Sequence, residues 1–337
     1  INIEQSSPIE SLLPGQLRMP TFSTISQVAI FRRSQMNIFD KAISICKQIK
    51  INFSYLAKSA SVLTTSVIAS FQILGFLCGF DDILPEDVNF LKRFLISVFI
   101  VALIWLIMFV IKCKYVLGKE KIAVIDAGNV HHVYVEYGDL FENSGERRNI
   151  VITANRCFDT LVDNDLISET TIHGMAVKRI CTDGYTPEML NVALQNDLVE
   201  NQQLKPDRIL TTEDKRKGNL KRYPVGTVAE FKKAPEDKIS YFFVGMSAFN
   251  SALHPETSDE EYMITVQSVI EYCNLRSQRF PVYMPIIGTH GRNNKKSERE
   301  LLEYMVGALR FNKHLINTDI HIVVYSGHRE TVSIYGL

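Results

Sequence analysis

The chain has 337 residues, with 37 basic and 37 acidic side chains, a formal net charge of zero and a 22% charged fraction. That length admits more than one domain, and the charge balance supplies no electrostatic footprint for nucleic acid. The 6 cysteines are dispersed, with no Cys-x-x-Cys pair and no histidine at ligand spacing, which argues against a disulfide frame and a structural metal and fits a reducing compartment.

The first twenty positions carry Ser6-Ser7-Pro8, Pro14-Gly15 and Pro20 and are expected to be an irregular leader. The sequence starts on Ile1 rather than Met, so the true initiator is expected upstream, and no cleavable signal is visible. Between Ile30 and Phe53, Phe31, Ile38, Phe39, Ala42, Ile43, Cys46 and Ile49 recur at helical spacing among Arg32, Arg33, Lys41, Lys47 and Lys50. This predicts a basic amphipathic helix, either lying in a lipid headgroup plane or packed on a neighbouring subunit.

Two apolar segments follow. Ser59–Phe80 has no charge over about 22 positions, roughly 33 Å as a helix, and Phe94–Ile111 is uncharged over about 18. A buried helical hairpin in a soluble protein is the alternative, but Phe94–Ile111 is apolar on every side apart from Ser97, leaving no polar stripe for water. The hydroxyls of the first segment can bond back to their own helix. Lysines flank the pair at both outer ends, whereas the connection holds Asp81, Asp82, Glu86 and Asp87. That bias predicts a two-pass hairpin in a bacterial inner membrane with both termini cytoplasmic. Gly75 and Gly79 form a G-x-x-x-G that permits close helix approach, one route to a homo-oligomer. The expected plan is residues 1–58 as leader and amphipathic helix, 59–111 as transmembrane hairpin and 118–337 as a ligand-binding domain.

Beyond the hairpin the pattern alternates. Strands are predicted at Lys121–Ala127, His131–Tyr137, Asn149–Ala154, Ile239–Ala248, Pro281–Ile287 and Asp319–Tyr325, and helices at Thr186–Asn201, Ser258–Ser277 and Ser297–His314. The alternation predicts an α/β fold with a partly parallel, mixed sheet covered on both faces. The charged stretch Asn201–Lys221 reads as a surface loop or hairpin.

Ligands of open α/β sheets sit at the carboxyl ends of strands. Three such ends carry suggestive residues: Gly138-Asp139-Leu140-Phe141, Ala154-Asn155-Arg156, and Gly288-Thr289-His290-Gly291-Arg292 before a helix. Two glycines and an arginine suit phosphate oxygens, although a plain glycine turn is the commoner use of such a loop.

Together these motifs resemble the macro domain, a family that binds ADP-ribose. The resemblance covers Lys121 to about Tyr325 and implies that Asp139, with Leu140 beside it, reads adenine. It implies that Asn155 faces the distal ribose, and that Gly288, Thr289, His290, Gly291 and Arg292 wrap the diphosphate. His290 stands where many members carry glycine. A closer likeness is carried by the hairpin with G-D-L-F, Ala154–Asp163, Leu166–Gly174, Arg222–Val228 and G-T-H-G-R. This set looks like the transmembrane macro-domain effectors of type II Thoeris anti-phage systems. There, a TIR-domain partner turns NAD into a histidine-linked ADP-ribose signal, and the effector binds it and damages the inner membrane, giving abortive infection. The likeness implies no cofactor beyond that ligand and no catalytic group. Arg222 and Tyr223 are further candidates, as a phosphate contact and an adenine stack. The insertion after Asn155 places Phe158, Asp159, Asp163 and His173 where they either pack or close over the ligand's distal group.

Three readings compete. The first is a sensor whose ligand drives clustering of the hairpins, and the second a membrane-anchored ADP-ribosyl hydrolase or reader. The hydrolase needs a water-positioning carboxylate, for which Asp159 and Asp163 are the nearby candidates. The third is a channel or transporter part, disfavoured because neither span contains an ionisable group.

Overall fold

The computed structural model describes residues 38–78, 90–128, 130–142, 145–289 and 296–337. The chain divides into two units, Ile1–Cys46 and Lys47–Leu337. Two long helices come first, α1 (Ile38–Cys78) and α2 (Phe90–Leu117). Among the described residues one helix, over Phe94–Leu117, is long and apolar enough to cross a membrane, and none of its most apolar window is buried. The sequence suggested an amphipathic helix followed by a separate span, but α1 runs straight through the expected boundary at residue 58, where neither Gly nor Pro interrupts it.

From Lys47 onward α1 is not a free surface helix. Asn52, Leu56, Ala60 and Thr64 form a buried stripe at i, i+4 spacing. The hydroxyls of Thr64, Thr65, Ser66 and Ser70 donate to carbonyls four residues back, as the sequence suggested, which satisfies them without water. Trp105 Nε1 donates to Ser61 Oγ at 3.1 Å, and the Phe53 and Phe109 rings lie 5.9 Å apart, joining α1 to α2. The leader before Ile38, Gly79 and the acidic connection lie outside the described residues.

The remainder forms strands β1 (Lys121–Ala127), β2 (His131–Gly138) and β3 (Arg148–Asn155), then helices α3 (Ile172–Ile180) and α4 (Pro187–Asn196). A short ribbon β4 (Arg208–Ile209) and β5 (Lys221–Arg222) precedes β6 (Val228–Phe231), β7 (Ile239–Phe249) and β8 (Pro255–Glu256). Helix α5 (Asp259–Arg276), β9 (Val282–Pro285), α6 (Glu298–Phe311) and β10 (Ile320–Tyr325) complete the order. The main sheet runs β1-β2-β10-β9-β3-β7-β6, with β8 paired to β7. Strands β2, β10, β9, β3 and β7 are mutually parallel, and β1 and β6 are antiparallel edges. This is the mixed, two-sided sheet the sequence predicted.

Alternation along β3 sorts the core. Val151 packs with α5 and α6, while Ile150, Ile152 and Ala154 pack with α3 and α4. Both α5 and α6 begin with complete capping boxes, Ser258 with Glu261 and Ser297 with Glu300, so their starts are fixed locally.

The carboxyl-terminal tail clamps the long helices to the domain. Tyr335 OH donates to Lys119 O at 3.2 Å and also to Val116 O, and its ring stacks on Tyr55 at 5.5 Å. Arg329 Nη2 donates to Leu117 O at 2.7 Å. From the domain side, Arg299 at the start of α6 donates to the carbonyls of Ser333, Tyr335 and Gly336 at 2.7, 2.9 and 3.1 Å. One arginine thus holds the strap that holds both helices.

Candidate functional site

Because five neighbouring strands are parallel, their carboxyl ends share one edge, and the three motifs singled out in the sequence all emerge there. A cavity of about 240 Å³ opens at that edge. Its floor is Thr153, Ala154 and Asn155 from β3 with Met246, Ser247 and Phe249 from β7. Ile286, Gly288 and Thr289 close one side, and the segment from Asn164 to His173 closes the other.

Local geometry explains the aim of Asn155. The β3–β7 register slips between Ala154 and Asn155, so Asn155 pairs with Ser247 and skips Met246, a bulge that turns a side chain out of the ladder. The Asn155 Oδ1 then accepts from the backbone N–H of Cys157 at 3.0 Å and of Asp159 at 3.5 Å. Both bonds need an acceptor, which fixes the amide orientation. Phe158 adopts φ 54° to complete this turn and packs edge-on against Tyr223 at 5.8 Å.

The opposite wall is held by caps. Thr171 accepts from Gly174 N at 3.1 Å and donates to Ser168 O at 2.7 Å, starting α3 at the cavity rim. Position 174 must be glycine, since a Cβ there would lie 2.2 Å from Ser168 O. Asp163 closes the preceding turn by accepting from Leu166 N at 2.8 Å, and the Lys217 ammonium beside it holds its carboxyl down to about 2.

His173, second in α3, is 7% exposed and lies edge-on to Phe243 at 5.9 Å. Burial pushes its imidazole down to about 4, opposed by a hydrogen bond to the Asp159 backbone. The ring is therefore neutral at physiological pH. Beneath the wall, Lys215 Nζ donates to Asp159 Oδ2 at 2.6 Å and to Asn219 O at 2.8 Å, and the lysine is fully buried. Asp159 also accepts from Asn219 N at 2.6 Å, and burial raises its carboxyl with Lys215 opposing. The charged stretch read as a surface loop or hairpin carries the β4–β5 ribbon and is in addition pinned into the core through one lysine.

The structure brings Asn155, Gly288 and Thr289 together around the cavity, with Gly288 at φ 85°, a backbone state suited to glycine. His290, Gly291 and Arg292 lie outside the described residues. Asp139 is exposed and accepts from Phe141 N at 2.9 Å, and Leu140 is buried in the core; both follow β2 at the same edge without lining the cavity. Tyr223 is fully buried, its hydroxyl on Gln195 Oε1 at 3.3 Å, and Arg222 Nε reaches Asp207 Oδ1 at 3.2 Å, so neither forms a cavity wall. Burial pushes the Cys157 thiol up to about 11, which leaves it unreactive at neutral pH.

Residues 133–325, more than half of the chain, match the family model described as "Thoeris protein ThsA, Macro domain". The chain is 26% identical over 221 residues to the Thoeris protein ThsA of Bacillus amyloliquefaciens (strain Y2), covering 62% of this chain and 67% of that protein. Two mutant structures of the Oceanobacillus iheyensis macrodomain align at TM-score 0.39, the first at 13% identity over 63% of this chain and 93% of that one. The second has 14% identity and covers 64% and 91%.

Proposed function

This chain belongs to the Thoeris ThsA macro-domain family of anti-phage defence, and we propose that its cavity binds an ADP-ribose-derived signal whose occupancy is transmitted to membrane-embedded helices. The signal is of the histidine-linked ADP-ribose type, supplied by a TIR-domain partner. Residues 118–337 form the sensor, and residues 59–111 a two-pass hairpin in the inner membrane with both ends cytoplasmic. Clustering of hairpins disrupts the bilayer and ends the infected cell.

The observation that carries this reading is the meeting of Asn155 with Gly288 and Thr289 around one cavity at the carboxyl edge of parallel strands. The left-handed Gly288 is a backbone state suited to close approach of an anion, and the polar floor suits a sugar. Asp139, which follows β2 at the same sheet edge, supports an adenine contact, and His290, Gly291 and Arg292 follow Thr289 in the sequence. The all-round apolar surface of α2 supports lipid contact. Transmission is supported by the strap, because Arg299 follows the ligand loop and grips the tail that holds α1 and α2. A ligand shifts the clustered population only by binding it more tightly than the dispersed one.

Catalysis is not part of this reading. The two carboxylates with access to the distal group are engaged, Asp159 by Lys215 and Asn219, and Asp163 by Lys217 and its own turn. The test is calorimetric titration of detergent-solubilised full-length protein with ADP-ribose, followed by chromatography of the recovered nucleotide. Saturable binding with intact ligand is expected; recovery of free ribosyl product would support the hydrolase instead, and absence of binding would end both.

A further inference from the structure

The ends of the two long helices nearest the domain carry charge of a single sign. Residues 47–80 and 94–119 contain no acidic side chain, yet they hold Lys47, Lys50, Lys58, Lys112, Lys114 and Lys119. Lys47 is answered by Glu330 at 2.9 Å. Among the described residues no carboxylate lies within ion-pair distance of Lys50, Lys58, Lys112 or Lys114, and all but the half-buried Lys112 are exposed. The helices run antiparallel, with the Phe53 and Phe109 rings opposite each other at 5.9 Å. Lys50 precedes Phe53 by one turn and Lys112 follows Phe109 by one turn, so two unpaired ammonium groups stand at one level on the domain side of that contact.

The domain reaches the same level. Ile49, Phe109 and Cys113 pack against its core, and only Gly118, Lys119 and Glu120 separate α2 from β1. An α2 that spans the bilayer therefore seats the domain directly on the membrane surface, with the lysines in the crevice between them. Tyr115 marks that surface, since its side chain is 60% exposed and its ring lies under the Lys119 ammonium at 4.2 Å. A ring with a polar tip beside a lysine is the pairing that settles at headgroup depth.

We infer that Lys50, Lys58, Lys112 and Lys114 form a collar that binds the phosphates of anionic phospholipid headgroups, so that the sensor domain docks on a particular lipid as well as on its nucleotide. This rests on the membrane reading above and names the lipid class that reading leaves open. An ammonium is a compact point charge on a flexible stem, and Lys58, the deepest of the four, reaches the headgroups by extending that stem. A zwitterionic headgroup brings its own cation and offers the collar no net charge. An anionic one does, and each ammonium near such a surface is worth about a fivefold gain in affinity.

Trp105 is the single tryptophan of the chain and lies two turns below Lys112 on the same side of α2, so its fluorescence reports the lipids beside the collar. Full-length protein is reconstituted in phosphatidylcholine bilayers containing phosphatidylglycerol, with brominated, quenching acyl chains on one lipid or the other. Phosphatidylglycerol is expected to occupy the positions beside Trp105 about fivefold or more over phosphatidylcholine in wild type. The preference should fall to near parity in the variant combining Lys50→Gln, Lys58→Gln, Lys112→Gln and Lys114→Gln. It should fall likewise for wild type in about 1 M salt, where screening acts within about 3 Å. Lys205→Gln, outside both helices, should keep it. Equal quenching by both lipids in wild type, or a preference that the fourfold variant keeps, would overturn the inference and leave the membrane reading standing. No quenching by either lipid would overturn both. Should the fourfold variant fail to fold, the salt series on wild type decides, and a preference that survives high salt would overturn the inference.

Discussion

Replacing Lys215 by methionine destabilises the folded chain by about 3–5 kcal/mol, the cost of removing one partner of a buried ion pair. Lys215 is fully buried, and its ammonium lies 2.6 Å from Asp159 Oδ2 with Asn219 O at 2.8 Å. Without it, the carboxylate must either remain charged in a site that already raises it or take up a proton. Asp159→Asn in the same background recovers part of the loss, because the amide oxygen still accepts from Asn219 N while the uncompensated charge is gone. The damage reaches the cavity as well. Asp159 holds His173 through its backbone, its own N–H is held by Asn155, and Lys215 sits 5.8 Å from the Phe249 ring. Ligand affinity should therefore fall along with stability. Chemical unfolding of the detergent-solubilised protein measures the first; a loss below about 1 kcal/mol would mean the pair behaves as a surface bridge.

The second large effect is acid lability centred on His173. Its folded value near 4 lies below the ordinary 6.5, so the unfolded chain binds this proton first as pH falls. The stabilisation is fully present above pH 6.5 and is lost progressively down to about 4, amounting to about 3 kcal/mol from the size of the depression. The raised Asp159 carboxyl acts in the opposite sense, and both wild type and His173→Phe retain it. The difference between their stability curves, measured by denaturant unfolding from pH 7.5 to 4, therefore isolates the imidazole. A flat difference across that range would place His173 in contact with water or an acid.

Much of the sheet was legible because buried parallel strands leave continuous β-branched runs. Even the antiparallel edge Lys121–Ala127 was read with its observed ends, and the predicted helices at 258–277 and 297–314 contain α5 and α6. The capping boxes at Ser258 and Ser297 are the local reason those helices start where they do. Helix α3 was missed, although Thr171 as cap and Ile172, Ala176, Val177 and Ile180 at helical spacing carried the signal. The stretch Leu166–Gly174 carries both a likeness to a family and the cap of this helix. The short strand Val228–Phe231 was also missed, being too brief for its alternation to register.

The site was legible as far as chain ends go. Parallel topology carries Asn155 and Gly288 to one edge, and that follows from strand direction alone. Side-chain direction does not follow. Tyr223 and Arg222 sit beside a turn, yet one belongs to the core and the other to a salt bridge. Lys215 is the clearest case, since a lysine in a charged run gives no sign that its partner lies 56 positions earlier in the fold's interior.

The coupling of nucleotide to membrane is tested most directly by dye release from sealed anionic vesicles carrying the purified full chain. The account predicts that histidine-linked ADP-ribose added on the side of the sensor domain triggers release at concentrations that saturate the pocket, and that ADP at saturating concentration does not. Saturated pockets in vesicles that stay sealed would contradict it.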